Sequence, residues 1–146
     1  MMLEFYKMTG SEHDFVMVDN RDLELSSVLN PGNIKDVCNR RFGIGADGVI
    51  VVEPARTKAA SLMRYYNADG AEVEATQDAA LCFTAFVDFL LDGAAKNIRF
   101  ESRGCALKGK VNEDDSVTVQ KGDKSFSGPA LIVFRGEVII CEDSAS

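Results

Sequence analysis

The sequence predicts an α+β fold: a strongly curved, mostly antiparallel, β-barrel-like sheet wrapped around one central helix. Two observations carry this prediction. Thr76 to Asp92 is the one long helical stretch, and Ala79, Ala80, Leu81, Cys82, Phe83, Ala85, Phe86, Val87, Phe89, Leu90 and Leu91 leave little of it polar. A helix apolar nearly all round is enclosed by other structure. Most of the rest reads as about eight to ten short strands with one peripheral helix, and a curved sheet satisfies both signals. The chain has 146 residues, one domain's worth, and such a chain buries roughly 68–70% of its unfolded surface, enough for a core without staples.

The elements follow in order. Leu3 to Met8 and Asp14 to Asp19 read as strands separated by the polar turn Thr9-Gly10-Ser11-Glu12-His13. Asn30-Pro31-Gly32-Asn33 supplies breaker and cap residues. Ile34, Val37, Cys38 and Arg41 then recur at i, i+3, i+4 and i+7, which predicts a short helix from Asn33 to Phe42 stopped by Gly43. Val49-Ile50-Val51-Val52 is a β-branched run suited to a strand buried on both faces. Leu62 to Tyr66 is a strand ending in the turn Asn67-Ala68-Asp69-Gly70. On the long helix, Gln77, Thr84 and Asp88 mark a narrow wet stripe, and Gly93 is the expected C′ residue. Asn97 to Ser102, Ala106 to Val111 and Val117 to Gln120 read as strands, and Lys121 to Pro129 as a loop. Leu131 to Phe134 and Glu137 to Ile140 flank Arg135-Gly136, a predicted tight hairpin. Glu142 to Ser146 reads as a frayed polar tail, so 1–141 is expected to form the single domain and 142–146 the tail.

Charge narrows the function. Lys and Arg number 16 against 23 Asp and Glu, a net charge of −7, which disfavours nucleic-acid and anionic-membrane surfaces. No stretch approaches the roughly 18 apolar residues of a membrane span. The opening residues read as neither basic n-region nor apolar h-region, so a cytoplasmic protein is expected. Cys38, Cys82, Cys105 and Cys141 include no C-x-x-C pair, and His13 is the one histidine. A structural metal site is therefore not expected, and the cysteines read as reduced, mostly buried apolar residues.

Three segments could carry chemistry. Thr76-Gln77-Asp78-Ala79 opens the long helix: Thr76 is placed to cap it and Asp78 to complement its dipole. The same N-terminus could hold an anion, though Asp78 weakens that by occupying the place with its own charge. Histidine is the side-chain type whose ordinary pKa lies nearest neutrality, and with His13 between Glu12 and Asp14 a His13-Asp78-Thr76 constellation can be drawn. A solvent-exposed turn histidine is the plainer reading. Gly43-Ile44-Gly45-Ala46-Asp47-Gly48 leads into a strand rather than a helix, so it reads as a turn and not a dinucleotide loop.

Taken together, these segments resemble the N-terminal domain of the diaminopimelate epimerase family, whose activity belongs to lysine biosynthesis. Lys7-Met8-Thr9-Gly10 with Asp14-Phe15-Val16-Met17-Val18-Asp19 is similar to its opening run. Arg41-Phe42-Gly43-Ile44-Gly45-Ala46-Asp47-Gly48 and Tyr66-Asn67-Ala68-Asp69-Gly70-Ala71-Glu72 are similar to two further family motifs. The resemblance covers about residues 3–122, so 1–122 is N-terminal-domain-like. Ser127-Gly128-Pro129-Ala130 and Val133-Phe134-Arg135-Gly136-Glu137 look like the family's extreme C-terminus, so 127–141 is expected to complete the same domain. The resemblance thus implies a single-domain version with the family's second domain missing.

The resemblance implies an isomerase chemistry that is PLP-independent and uses no cofactor. Two cysteines, one from each domain, invert a carbon α to a carboxylate, each at the N-terminus of its domain's central helix, where a thiol pKa is lowered. The first of those cysteines falls on Thr76, and Cys82 matches only a later, buried position. No catalytic residue of the family is therefore intact, and an alcohol cannot replace a thiolate. The implied substrate-binding candidates are Asn67, His13, Gln77 and Asp78, with His13 standing where the family has Asn. Glycines of the family motif have become Gln77 and Ala79, so local stability has replaced irregularity. The expectation is a catalytically silent, engineered or reconstructed domain, with a natural degenerate paralogue as the other origin. It is expected to self-associate as a homodimer through the Thr76 end of the helix. Two alternatives remain: acid/base catalysis at a dimer cleft using His13, Glu12 and Asp78, and a small-carboxylate binding module.

Overall fold

The computed structural model describes residues 1–56 and 61–140. The elements run β1 (Met2–Thr9), β2 (Asp14–Asp19), α1 (Pro31–Cys38), β3 (Gly48–Glu53), β4 (Ser61–Asn67), α2 (Gln77–Leu90), β5 (Asn97–Ser102), β6 (Cys105–Val111), β7 (Val117–Lys121), β8 (Lys124–Gly128) and β9 (Leu131–Ile139). The strands form one sheet in the order β8-β7-β6-β5-β4-β3-β2-β1-β9. Neighbours are antiparallel except at β2–β3 and β4–β5. The sheet curls far enough that α2 touches β2 and β3, β5 to β8, and β9 at the far edge. This is the α+β half-barrel around a central helix that the sequence predicts.

The alternation of strands builds two cores. Phe15 and Met17 of β2, with Ile50 and Val52 of β3, face α2 and join Phe83, Phe86 and Phe100 in the inner core. Val16, Val18, Val49 and Val51 point the other way and pack under α1 against Ile34, Val37 and Val28. β3 is buried along its whole length, which explains its unbroken β-branched run. α2 approaches β6 closely: a Cβ on Gly109 would lie 2.2 Å from Thr84 Oγ1, so only glycine fits there.

The segments that carry the family resemblance are bound to one another. Asp14 pairs with Lys7 at 3.0 Å and with Arg40 at 2.8 Å, and its carboxylate accepts from the Asp47 N–H at 3.1 Å. Lys7 also donates to the Gly45 carbonyl at 2.6 Å. The Arg40 guanidinium holds the Asp14 carboxyl well below the carboxylate range; burial opposes this, and Lys7 and Asp47 reinforce it. The Gly43–Gly48 turn is thereby pinned to β1 and β2.

Five expectations need correction. The predicted loop Lys121–Pro129 contains β8, paired to β7 through Lys121 and Lys124. The two-residue link Gly122-Asp123, with Gly122 at φ 63, is a Gly-first hairpin turn. The predicted hairpin at Arg135-Gly136 is the middle of the single strand β9, where Gly136 pairs with Phe5 and Arg135 with Tyr6. The peripheral helix is Pro31–Cys38, not Asn33 to Phe42: the Asn30 side chain caps it by accepting from Asn33 N–H, and Pro31 stands at its start. Thr84 and Asp88 are not wet. Thr84 is fully buried with its hydroxyl on the Ala80 carbonyl, and buried Asp88 accepts from the Lys96 N–H at 3.0 Å. At the C-terminus of α2, Asp92 (φ 59) takes the C′ place and Gly93 follows it. Gly93 N–H returns to the Asp88 carbonyl and Asp92 N–H to Phe89, a Schellman closure. Cys141 and the tail 142–146 lie outside the described residues.

Exposed apolar side chains gather on the edge strand β9, where Leu131, Val133 and Ile139 are 60%, 60% and 77% exposed. Among the described residues no helix is long and apolar enough to cross a membrane.

Candidate functional site

The site grows from the N-terminus of α2. Thr76 is the N-cap, in extended conformation, and its hydroxyl accepts from Ala79 N–H at 3.2 Å. That uses the hydroxyl as the cap the sequence predicts. Ala80 N–H reaches the Thr76 carbonyl. The first-turn N–H groups of Gln77 and Asp78 have no partner inside the helix, and their positive partial charge faces outward.

Two different environments flank this end. On one side lies the β1–β2 turn, closed by Gly10 N–H on the His13 carbonyl at 2.8 Å. Asp78 reaches into it. Its carboxylate accepts from Ser11 Oγ at 3.1 Å, Glu12 N–H at 2.9 Å and His13 N–H at 3.0 Å, and meets His13 Nδ1 at 3.2 Å. Burial pushes the Asp78 carboxyl up, but the bonds from Glu12, His13 and Ser11 outweigh it, and its pKa falls below the ordinary value. The turn can come this close because residue 10 is glycine: a Cβ there would lie 2.8 Å from Asp78 Cγ. The carboxylate thus fills the anion position that the helix end and turn amides would otherwise offer.

On the other side α2 faces β5 to β8 across a cleft of about 440 Å³. Glu74, Thr76, Gln77, Ser102, Cys105, Lys121, Lys124 and Ser125 supply its polar groups. Ala80, Leu107 and Phe126 supply an apolar floor. Lys121 is taken by Glu74 at 2.7 Å, which raises the Lys121 pKa.

Of the residues singled out from the sequence, the fold brings His13, Asp78, Thr76 and Gln77 to one helix end. Glu12 contributes its backbone to Asp78, and its side chain is exposed. Asn67 ends β4, half-buried, and its backbone closes the following turn with Gly70 N–H. It does not line the cleft. Cys38 and Cys82 are buried thiols, pushed up by burial to about 11 and about 12, and Asp78 adds to the shift at Cys82. Cys105, from β6, is exposed and lines the cleft. Sequence reasoning missed Ser102, Cys105 and Lys124. The Gly122-Asp123 link was the available signal, since a two-residue turn would have placed β8 beside β7. Among the described residues no group of three or more His, Cys, Asp or Glu could hold a metal ion.

Comparison with known proteins gives a consistent family. The profile of diaminopimelate epimerase matches residues 5–127. A diaminopimelate epimerase of Gemmatimonas aurantiaca is 46% identical over 83 residues, covering 57% of this chain and 30% of the relative. A chloroplastic one from Oryza sativa subsp. japonica is 36% identical over 88% of this chain and 36% of the relative. One from Synechococcus elongatus is 35% identical over 98% of this chain and 52% of the relative. The chain therefore spans about half, or less, of the length of these relatives. A phenazine biosynthesis protein of the PhzF family from Bacillus anthracis superposes with TM-score 0.57 at 14% identity, covering 82% of this chain and 40% of the other. A probable proline racemase from Agrobacterium radiobacter gives TM-score 0.52 at 13% identity, covering 80% and 41%. These two show the fold.

Proposed function

The chain belongs to the diaminopimelate epimerase family, and from that premise we propose that it is an epimerase-type domain that does not perform the family's thiol acid–base chemistry. One observation carries the reading. Thr76 stands where the resemblance to the family puts its catalytic cysteine, and its hydroxyl caps the helix by accepting from Ala79 N–H. Proton abstraction at a carbon α to a carboxylate needs a base with a pKa near the working pH. An aliphatic alcohol without a neighbouring base does not reach it. The buried thiols of Cys38 and Cys82 lie above the useful range. Cys105 lies on β6 rather than at the N-terminal end of α2.

The residues around Thr76 favour a domain selected for stability, by engineering or reconstruction. Ala79 gives about 1 kcal/mol of helix propensity over a glycine, and Asp78 favours the positive helix end. The test is proton exchange at the α-carbon of diaminopimelate in deuterated buffer, read by NMR. No incorporation above that of a Thr76→Ala variant is expected. Incorporation that Thr76→Ala abolishes overturns the reading.

The His13–Asp78 contact supports a second reading. Asp78 holds one ring nitrogen at 3.2 Å, which leaves the other free to take or give a proton. Together with Glu12 this would serve an acid/base isomerase at a cleft between two copies. On that reading His13→Ala abolishes a measurable turnover without unfolding the chain; unchanged turnover in that variant excludes it.

A further inference from the structure

We propose that the outward face of β5 to β7 is a docking surface for an acidic, extended polypeptide segment. α2 takes the inner face of the sheet from β2 round to β8. On the outer face, Val16 and Val18 of β2 and Val49 and Val51 of β3 are buried under α1. Further round, no described element covers that face. Asn97 and Arg99 of β5, Lys108 and Lys110 of β6 and Gln120 of β7 are exposed, while Ile98, Phe100 and Leu107 between them point to the core.

The charge on this face is the reverse of the chain's. Acids outnumber bases by 23 to 16, yet Arg99 and Lys108 stand directly opposite each other on neighbouring strands, and Lys110 follows on the same side. Like charges so placed repel. The described ion pairs engage Lys7, Arg21, Arg40, Arg64, Lys96 and Lys121, and none of these three. The rows continue without an acid, Lys108 opposite Gln120 and Lys110 opposite Thr118. At the rim, Arg56, Arg64 and Arg103 border a cleft of about 270 Å³. Its two carboxylates are engaged: Arg64 holds Glu72, and Glu101 accepts from the Arg56 N–H at 3.2 Å.

The spacing defines the partner. Alternate side chains of one strand lie about 6.7 Å apart, which is the separation of Lys108 and Lys110 along β6. An extended peptide repeats its own alternate side chains at the same interval, so carboxylates two residues apart meet both lysines at once. Asn97 and Gln120 carry amides, donor and acceptor together, as peptide groups require. Phe100 and Phe126 turn inward, towards α2, which leaves no ring on this face for a nucleic-acid base to stack on. The exposed large apolar side chains of the chain lie elsewhere, on β9, the α2 terminus and the loops, so this face has nothing to insert into a lipid surface.

The experiment is an NMR titration of the full chain with an end-capped peptide that alternates glutamate and serine. Backbone amide shifts are expected on β5, β6 and β7, and the affinity falls as salt screens the contact. The same peptide with glutamine in place of glutamate does not bind. Lys108→Gln combined with Lys110→Gln weakens binding about tenfold, the loss of two exposed ion pairs. Lys35→Gln combined with Arg135→Gln, which removes the same charge from α1 and β9, leaves it unchanged. Because Arg99 and Lys108 repel, Lys108→Gln alone raises the urea midpoint; a lower midpoint assigns these cations to stability and overturns the proposal. Equal binding of the glutamine peptide, an equal loss in the control pair, or shifts confined to other strands overturns it as well. An oligothymidylate or phosphatidylserine vesicles binding this face more tightly than the glutamate peptide overturns the polypeptide assignment in favour of a phosphate-bearing partner. None of these outcomes depends on whether the chain exchanges α-protons.

Discussion

The same helix end meets two unlike neighbours. On the β1–β2 side, the chain supplies its own anion: Asp78 receives Ser11, Glu12 and His13 and is sealed at 8% exposure. On the β5–β8 side, Thr76, Gln77, Ser102 and Lys124 border an open cleft, and the buried Ser102 hydroxyl has no hydrogen-bond partner among the described residues. The positive potential of a helix N-terminus does not by itself decide whether a ligand binds. What decides is whether the protein has already filled the place. Glycine at position 10 lets the turn close on Asp78, and the Gly122 turn folds β8 back to make the opposite wall.

Breaking the closed side has the largest expected effect. Asp78→Ala leaves two backbone N–H groups and a hydroxyl without their acceptor, and is expected to cost about 2–3 kcal/mol in urea unfolding. A loss below about 0.5 kcal/mol would mean that solvent replaces the carboxylate and that this side is not closed.

The same bonds give a pH dependence. Asp78 and Asp14 both titrate lower in the folded chain than when unfolded. Their contribution is present above the unfolded carboxylate pKa of about 3.9, and is lost as the pH falls through the lower folded values. Stability should be insensitive to these groups between neutrality and about pH 5 and decline below about pH 4. Asp78→Asn should flatten part of that decline. Acid unfolding of the two proteins that superimposes would place the lowered titration elsewhere.

The cap is next. Thr76→Ala removes the acceptor for Ala79 N–H and is expected to cost about 1 kcal/mol without changing α-proton exchange. Opening Ser102 or Lys124 has the smallest effect on stability. Ser102→Ala deletes an unpartnered hydroxyl and is expected to be neutral or slightly stabilising. Lys124→Gln should stay within about 0.5 kcal/mol. Either variant costing more than about 1 kcal/mol would show that the open side is already satisfied from within the chain.

What was legible in the sequence follows the same division. β3 and α2 announce themselves because burial on every face removes polar residues from the chain. The cap at Thr76 and the first-turn acid at Asp78 were also readable, because capping is local. β8 and β9 were not. An edge strand has one bonded side, so Lys124–Gly128 carries polar residues that read as loop. Arg135-Gly136 reads as a turn, yet the strand runs straight through it. The missing side chain at Gly136 makes room for the Phe5 ring, which would lie 3.2 Å from a Cβ there. The Ser102–Lys124 cleft is assembled from β5, β6, β7, β8 and the helix end, residues far apart in the chain, and no local pattern brings them together. Asp88 and Thr84 misled for a related reason: each is polar but satisfied inside the fold, by Lys96 and by the Ala80 carbonyl.

Amide hydrogen exchange, followed residue by residue with NMR, compares the two sides directly. Slow exchange is expected at Glu12 and His13, whose N–H groups are held by Asp78, and fast exchange at Gln77. Exchange at Gln77 as slow as at Glu12 would contradict this contrast.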